Sequence, residues 1–171
     1  MADQEKVGAR VVVREPGSPD HATWAMGSLF EHLLLPDESG GRLGVATVSQ
    51  PPGIATPLHR HAREAEAFYL LEGEMTYRAG DETFDLTPGC FIFLPQGIPH
   101  AFRTRGDTTV RYLALTEPGH LLGLYDEVGV PAGALRIPAQ GEGREMAEEI
   151  ARWNEVGPRY GLEVVGPPIP A

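Results

Sequence analysis

Short segments in which apolar and polar residues alternate fill the middle of the chain, and turn residues separate them. Alternation with a period of two predicts strands with one buried face, while Gly, Asp and Pro between them predict turns. A series of short strands at this spacing is typical of a β-sandwich or barrel, so we predict an all-β fold. The predicted strands are 28–35, 42–50, 66–71, 73–79, 82–86, 90–94, 100–104 and 108–116.

Apolar residues recur at helical spacing after Glu117. Residues 120–128 place Leu121, Leu124 and Val128 on one face, which predicts a helix that packs on the strands or covers one end of them. A second helix is predicted over 142–156, after a connection rich in Pro and Gly.

The amino-terminal part carries weaker signals. Residues 11–13 predict a short edge strand, and 21–26 predict an extended segment. We therefore expect one domain in three parts. They are an amino-terminal extension with edge strands over 1–42, a strand core over 43–116, and helices with a tail over 117–171.

Composition narrows the class of protein. The net charge of −10 argues against nucleic-acid binding. No apolar run is long enough to cross a membrane, and the first residues lack the apolar stretch of a secretory signal. Cys90 is the single cysteine, so no internal disulfide is possible, and its apolar strand predicts a buried thiol. These features predict a cytoplasmic protein.

Two histidines and a glutamate form the strongest chemical signal in the chain. His59 and His61 are two residues apart, so on a strand they point to the same face with Cα atoms about 6.5–7 Å apart. Two imidazoles at that separation can bind one metal ion at about 2.0–2.1 Å. Glu66 begins the next predicted strand and would add a carboxylate oxygen. Glu64 is the competing carboxylate, but it lies in a charged turn.

A third histidine follows a second turn-rich stretch. An apolar strand ends at Pro95, and His100 begins the next predicted strand. Three imidazoles and one carboxylate suit a first-row divalent ion, and Fe, Ni, Co, Mn, Cu and Zn all remain open. We predict that one such ion is held by His59, His61, Glu66 and His100.

The spacing of these residues resembles the two cupin motifs. The first, G(X)5HXH(X)4E(X)6G, is matched by Gly53, His59, His61, Glu66 and Gly73. The second, G(X)5PXG(X)2H, is matched by Gly89, Pro95, Gly97 and His100. Thr104 stands where this motif usually continues to Asn, which removes a usual strand-end hydrogen-bonding group. The resemblance implies a cupin double-stranded β-helix, or jelly-roll barrel, with the C-terminal helices packed outside.

The helices and tail resemble those of quercetin 2,3-dioxygenase-like single-domain cupins. This resemblance implies a dioxygenase that acts on a flavonol or a similar hydroxylated aromatic or polyketide-like molecule, with substrate oxygen and O2 at open metal positions. Glu66 would be both ligand and catalytic base, which requires its pKa to rise toward neutral. Alternatives are a cyclase or isomerase that uses a redox-inert ion such as Zn, and a non-catalytic module that binds a small molecule.

A substrate pocket and a subunit interface follow from strand alternation. Phe68 and Leu70 share the face of Glu66, and Phe102 shares that of His100, which predicts a mostly apolar pocket for a planar ring. Tyr77 and Phe93 are further candidates for its wall. Tyr69 and Leu71 face outward and need a cover, so we expect a homodimer.

Overall fold

The strands and helices below come from a computed structural model, which describes residues 8–170. The strands are β1 Ala22–Ala25, β2 Ser28–Leu34, β3 Gly44–Gln50, β4 Leu58–His61, β5 Ala65–Glu72, β6 Glu74–Ala79, β7 Glu82–Leu86, β8 Phe91–Leu94, β9 His100–Arg105, β10 Val110–Glu117, β11 Val130–Pro131 and β12 Leu162–Gly166. The α-helices are α1 Leu122–Val128 and α2 Met146–Val156.

The strands form two antiparallel sheets. The larger has the order β11-β1-β2-β3-β10-β5-β8, and the smaller has the order β12-β4-β9-β6-β7. In β10 every second residue from Val110 to Thr116 is buried, as the alternating pattern predicts. Inward side chains of both sheets meet in one apolar core that includes Val48, Leu70, Met75, Tyr77 and Leu94. The predicted all-β jelly roll is confirmed.

The predicted strands between 28 and 116 are all present, with ends that differ by one or two residues. Both predicted helices are present as well. A 3₁₀ turn at Gly119–Leu121 precedes α1, and α2 begins at Met146, four residues later than predicted. The connection before α2 contains Gly141 and Gly143, both with positive φ, and this conformation is incompatible with an α-helix.

Three features differ from expectation. The predicted edge strand at 11–13 is wrong: Val11 and Val13 are exposed, and ion pairs of Arg10 and Arg14 with buried Glu38 hold this segment. The thiol of Cys90 is only half-buried, because Cys90 precedes β8 at the edge of the larger sheet. β12 was not predicted, and it extends the smaller sheet beside β4.

Two predictions remain open. The absence of a secretory signal was predicted for the first residues of the chain, and residues 1–7 lie outside the described range. The grouping of the chain into 1–42, 43–116 and 117–171 within one domain stays a prediction. Within residues 8–170, neither helix combines the length and the apolar character that crossing a bilayer requires.

Candidate metal centre

The four predicted ligands come from both sheets and converge at one point between them. His59 and His61 lie on β4, and His100 begins β9, where it is the register partner of His59. Glu66 lies on β5 of the opposing sheet. One donor atom from each of the four residues lies within 4.8 Å of the others, and all four side chains are buried.

Backbone carbonyls orient two of the histidines. Nδ1 of His59 lies 2.7 Å from the carbonyl oxygen of Pro57, and Nδ1 of His100 lies 3.0 Å from that of Ile98. Because a carbonyl only accepts, each Nδ1 carries the proton in these bonds. In the neutral form of either ring Nε2 then keeps its lone pair, which is the arrangement that a metal-binding histidine needs.

Glu66 and two of the histidines are close enough to affect each other's protonation. Oε2 of Glu66 lies 3.2 Å from Nε2 of His61 and 3.0 Å from Nε2 of His100. Burial alone would raise the pKa of Glu66, but the charge of His61 and the contact with His100 outweigh it and hold this pKa below its usual value. The rise toward neutral that base chemistry requires does not occur while Glu66 faces His61 and His100, so it stays a prediction for a carboxylate released from these contacts.

The surroundings shift the pKa values of His59 and His61 in opposite directions. Burial, followed by the charges of His100 and His61, lowers the pKa of His59 to about 4. Burial also acts to lower the pKa of His61, but the carboxylate of Glu66, with a smaller effect of Glu64, raises it overall. A ring that stays neutral, like that of His59, is ready to act as a ligand without losing a proton.

The donor set fits one metal ion. Although Nε2 of His61 and of His100 are near Glu66, neither has a well-directed hydrogen bond to another described residue, and both are fully buried. Buried polar atoms without partners are rare, and three imidazoles with one carboxylate suit a first-row divalent ion. The cluster could therefore bind one such ion.

Glu64 lies outside this cluster. Its side chain is buried in the turn between β4 and β5, and burial raises its pKa. Oε2 of Glu64 and Nδ1 of His61 both lack hydrogen-bond partners among residues 8–170. Glu64 therefore affects only the charge around His61, while Glu66 is the carboxylate that faces the other donors.

A cavity of about 450 Å³ adjoins the cluster, with His59, Glu66 and His100 in its wall. Of the predicted pocket residues, Phe68, Tyr77 and Phe102 line it. Leu70 is not part of the cavity wall, although it belongs to the same buried core as these three residues. The prediction for Phe93 is wrong: in β8 Ile92 and Leu94 turn inward, so Phe93 points outward and is 57% exposed.

Several lining residues were not predicted. Tyr112 on β10 contributes to the wall, and strand alternation alone would have placed it there. Tyr125 of α1 stacks on Phe30 with 4.1 Å between ring centroids, and Trp153 of α2 packs on Tyr125 at 5.6 Å. Trp153 also lines the cavity. No local sequence signal shows which helix face meets the cavity.

Two further polar side chains make defined contacts. His32 is buried, and its Nε2 lies 3.0 Å from Oδ1 of Asp126 in α1, so it anchors that helix to the larger sheet. The hydroxyl of Thr104 lies 3.2 Å from the carbonyl oxygen of Pro51 and 3.3 Å from that of Ile54. The expected loss of a hydrogen-bonding group at position 104 is therefore wrong, since Thr104 supplies one.

Comparison with known proteins identifies similar chains. Residues 46–116 match the Cupin domain family. The oxalate-binding protein of Thermotoga maritima is 30% identical over 64% of this chain and 96% of its own length. Quercetin 2,3-dioxygenase of Bacillus subtilis is 32% identical over 61% of this chain, which spans only 27% of that protein. Tetracenomycin polyketide synthase protein TcmJ of Streptomyces glaucescens is 25% identical over 81% of this chain and 94% of its length.

Proposed function

This chain belongs to the cupin family, and from that premise we propose that it is a metal-dependent dioxygenase. Its substrate would be a flavonol or a similar hydroxylated aromatic or polyketide-like small molecule. One observation carries the proposal: four metal-type donors meet at the wall of an aromatic-lined cavity of about 450 Å³. A cavity of this size suits a molecule of two or three rings.

The protein's own side chains would hold the ion. His59, His61 and His100 would each present Nε2, and Glu66 would present a carboxylate oxygen. A divalent transition metal here would supply Lewis acidity and, if it is redox-active, a means of using O2.

Glu66 is the residue placed to accept a proton from a substrate hydroxyl. Its low pKa keeps it ionised, although it is a weak base while it faces His61 and His100. If the carboxylate turns from these histidines toward the substrate, burial would raise its pKa and make it a stronger base. This movement supplies the rise in pKa that catalysis requires.

The aromatic wall would orient the substrate and exclude water. Phe68, Tyr77, Phe102 and Tyr112 surround the cavity, and pairs of these rings lie 5.4–6.3 Å apart. Ring faces and edges at such distances favour a planar aromatic ligand over a flexible chain. Water excluded from this space would not compete with the substrate for Glu66.

A second candidate is a cyclase or isomerase that uses a redox-inert ion such as Zn. The similarity to the polyketide synthase protein TcmJ favours it, because the chain covers 94% of that relative and much less of the quercetin dioxygenase. Both candidates use the same donors and the same planar class of substrate. They differ in whether O2 is consumed.

Elemental analysis followed by an oxygen assay separates the candidates. Protein purified without added metal should contain about one redox-active transition-metal ion per chain, and it should consume O2 with a flavonol in air. Chelator treatment should abolish the consumption. Tightly bound Zn with no O2 uptake across a flavonol panel would overturn the dioxygenase and favour the second candidate. Binding without turnover under any metal would leave the non-catalytic alternative.

A further inference from the structure

Two buried polar atoms in the cavity wall have no partner in the protein. The Tyr77 side chain is fully buried, and its hydroxyl makes no hydrogen bond to another residue of 8–170. Gln50 is 5% exposed, and its side-chain oxygen also lacks a partner within that range. Both residues line the cavity. Unpartnered polar atoms are costly when buried, and a ligand oxygen or hydroxyl in the cavity could pair with them.

Neither residue lies on a strand that carries one of the four donors, since Gln50 ends β3 and Tyr77 lies on β6. Gln50 is the register partner of Val110 on β10, whereas Glu66 pairs with Thr116 at the other end of the same strand. At about 3.3 Å per residue, the backbone at these two levels is roughly 20 Å apart along the strand. Tyr77 lies closer to the donors, because it is the register partner of Phe102 in the opposing sheet, two residues from His100. A ligand that reaches from Glu66 past Tyr77 toward Gln50 must therefore be elongated.

The charges in the wall restrict the ligand further. Among the described residues that line the cavity there is no lysine or arginine, and Glu66 is its only carboxylate. A small dianion would find no cationic side chain other than a protonated histidine of the cluster. Burial raises the pKa of Tyr77 and of Tyr112 well above the ordinary value, so both hydroxyls stay protonated and can donate. The wall suits an uncharged ligand that carries oxygen atoms.

We propose that Gln50 and Tyr77 form a second anchoring point, away from the metal-type donors, for a ring hydroxyl or carbonyl of an elongated, planar, uncharged substrate. This inference rests on the proposed function for the class of substrate. It adds a requirement that the proposed function lacks: a second oxygen function far from the one that faces Glu66. Ring systems without that second group should bind less well.

Binding to metal-free protein tests this point without any reaction. The probes are 3-hydroxyflavone and its 5,7-dihydroxylated analogue galangin, with oxalate as a small dianion, all measured by titration calorimetry after chelator treatment. Wild-type protein should bind galangin more tightly than 3-hydroxyflavone and should bind oxalate weakest of the three. Tyr77→Phe and Gln50→Leu should each weaken galangin binding about 3- to 10-fold, as expected for one lost hydrogen bond, and change 3-hydroxyflavone binding less than 2-fold.

Two controls separate binding from folding. Tyr160→Phe removes a hydroxyl that bonds to Glu127 outside the cavity, so it should leave the affinity for both flavonoids unchanged. Thermal unfolding of ligand-free Tyr77→Phe should be unchanged or shifted upward, because the lost hydroxyl has no partner. A lower unfolding temperature would show that the hydroxyl is satisfied within the protein and would overturn the proposal.

The outcomes also separate this inference from the proposed function. Equal weakening of both flavonoids, no weakening of either, or tighter binding of oxalate than galangin would overturn the anchoring point, even if the metal-loaded protein consumes O2. Selective weakening of galangin would support the anchoring point even if O2 uptake fails. That second result would leave the dioxygenase proposal wrong and the class of ligand correct.

Discussion

Oε2 of Glu66 lies 3.0 Å from Nε2 of His100, although the two residues belong to different sheets. The contact therefore joins the two halves of the jelly roll at the candidate metal centre. Both groups are metal-type donors of one buried cluster, so occupancy of the centre by an ion should respond strongly to single substitutions.

Removing one imidazole should remove the metal. We expect His100→Ala or His61→Ala to lower metal content more than about tenfold, because each change deletes one nitrogen donor. Glu66→Gln should retain more metal than either, since an amide oxygen still binds, but it should lose turnover because an amide is not a base. Plasma emission analysis of purified variants measures the metal directly.

Glu64→Gln is the matched control for that series, since Glu64 is also buried but lies outside the cluster. It should keep both metal and turnover close to wild type. If Glu64→Gln abolished turnover while Glu66→Gln preserved it, the assignment of the carboxylate would be reversed.

Low pH should weaken the ion pairs by which Glu38 holds Arg10 and Arg14 of the amino-terminal segment. The hydrogen bond from Arg14 is the largest of the effects that lower the pKa of Glu38 to about 2. A carboxyl with a depressed folded-state pKa stabilises the protein above about pH 4.5 and loses that contribution as the pH falls toward 2. The free energy of unfolding of wild type should therefore exceed that of Glu38→Gln at pH 6, and the difference should shrink by pH 3.

Urea unfolding at both pH values measures this difference. Asp37→Asn, at the adjacent exposed acid, serves as the control and should show little dependence on pH. A gap between wild type and Glu38→Gln that stays constant from pH 6 to pH 3 would contradict the assigned role of the ion pairs.

An exposed apolar patch predicts self-association. Tyr69, Leu71, Phe91 and Phe93 are 41%, 36%, 61% and 57% exposed, and they lie on the adjacent strands β5 and β8 at one edge of the larger sheet. We expect a homodimer through this patch, because exposed patches of this kind commonly mark interfaces. Phe91→Glu should give a monomer in light scattering at micromolar concentration.

Phe84→Glu is the control, since Phe84 is an exposed aromatic residue on the edge strand of the other sheet. It should leave the dimer intact. A wild-type protein that is monomeric at micromolar concentration would rule out the predicted interface.

Gly129 should tolerate no side chain. A methyl group there would overlap the carbonyl oxygen of Trp24, which belongs to β1 and has little room to move. We expect Gly129→Ala to lower the free energy of unfolding by about 1–3 kcal/mol in chemical denaturation. At Gly157 the nearest atom is a terminal carbon of Leu162 at 3.3 Å, which can shift, so Gly157→Ala should cost less. Equal losses would contradict this explanation.

Local patterns were sufficient for most of the strands and for the convergence of His59, His61, Glu66 and His100. Alternation fixes which face a strand residue shares with its neighbours, so two motifs on different strands can be placed together. The same rule failed at Phe93, because which residues of the four-residue strand β8 point inward depends on how it pairs with β5. A strand this short has too few residues for its own sequence to show which of its two faces is buried.

Long-range contacts account for the other differences between the predicted and the observed structure. Leu162–Gly166 pairs with β4, which precedes it by about a hundred residues. The prolines that follow this segment exclude a helix but do not predict a strand. Likewise, the spacing of Met146, Ile150 and Trp153 predicts a helix but not the cavity that this helix lines. Neither contact leaves a periodic signal near its own residues.

The pairing of β12 with β4 also bears on how related chains diverge. Leu162 is the register partner of His61, and Val164 is that of His59. Variation in this distal segment can thus shift the backbone beneath two of the donors while every residue facing the interior remains the same. Relatives with identical inner residues could acquire different reactivity through changes on the outside of the molecule, and alignments restricted to the two motifs would miss the cause.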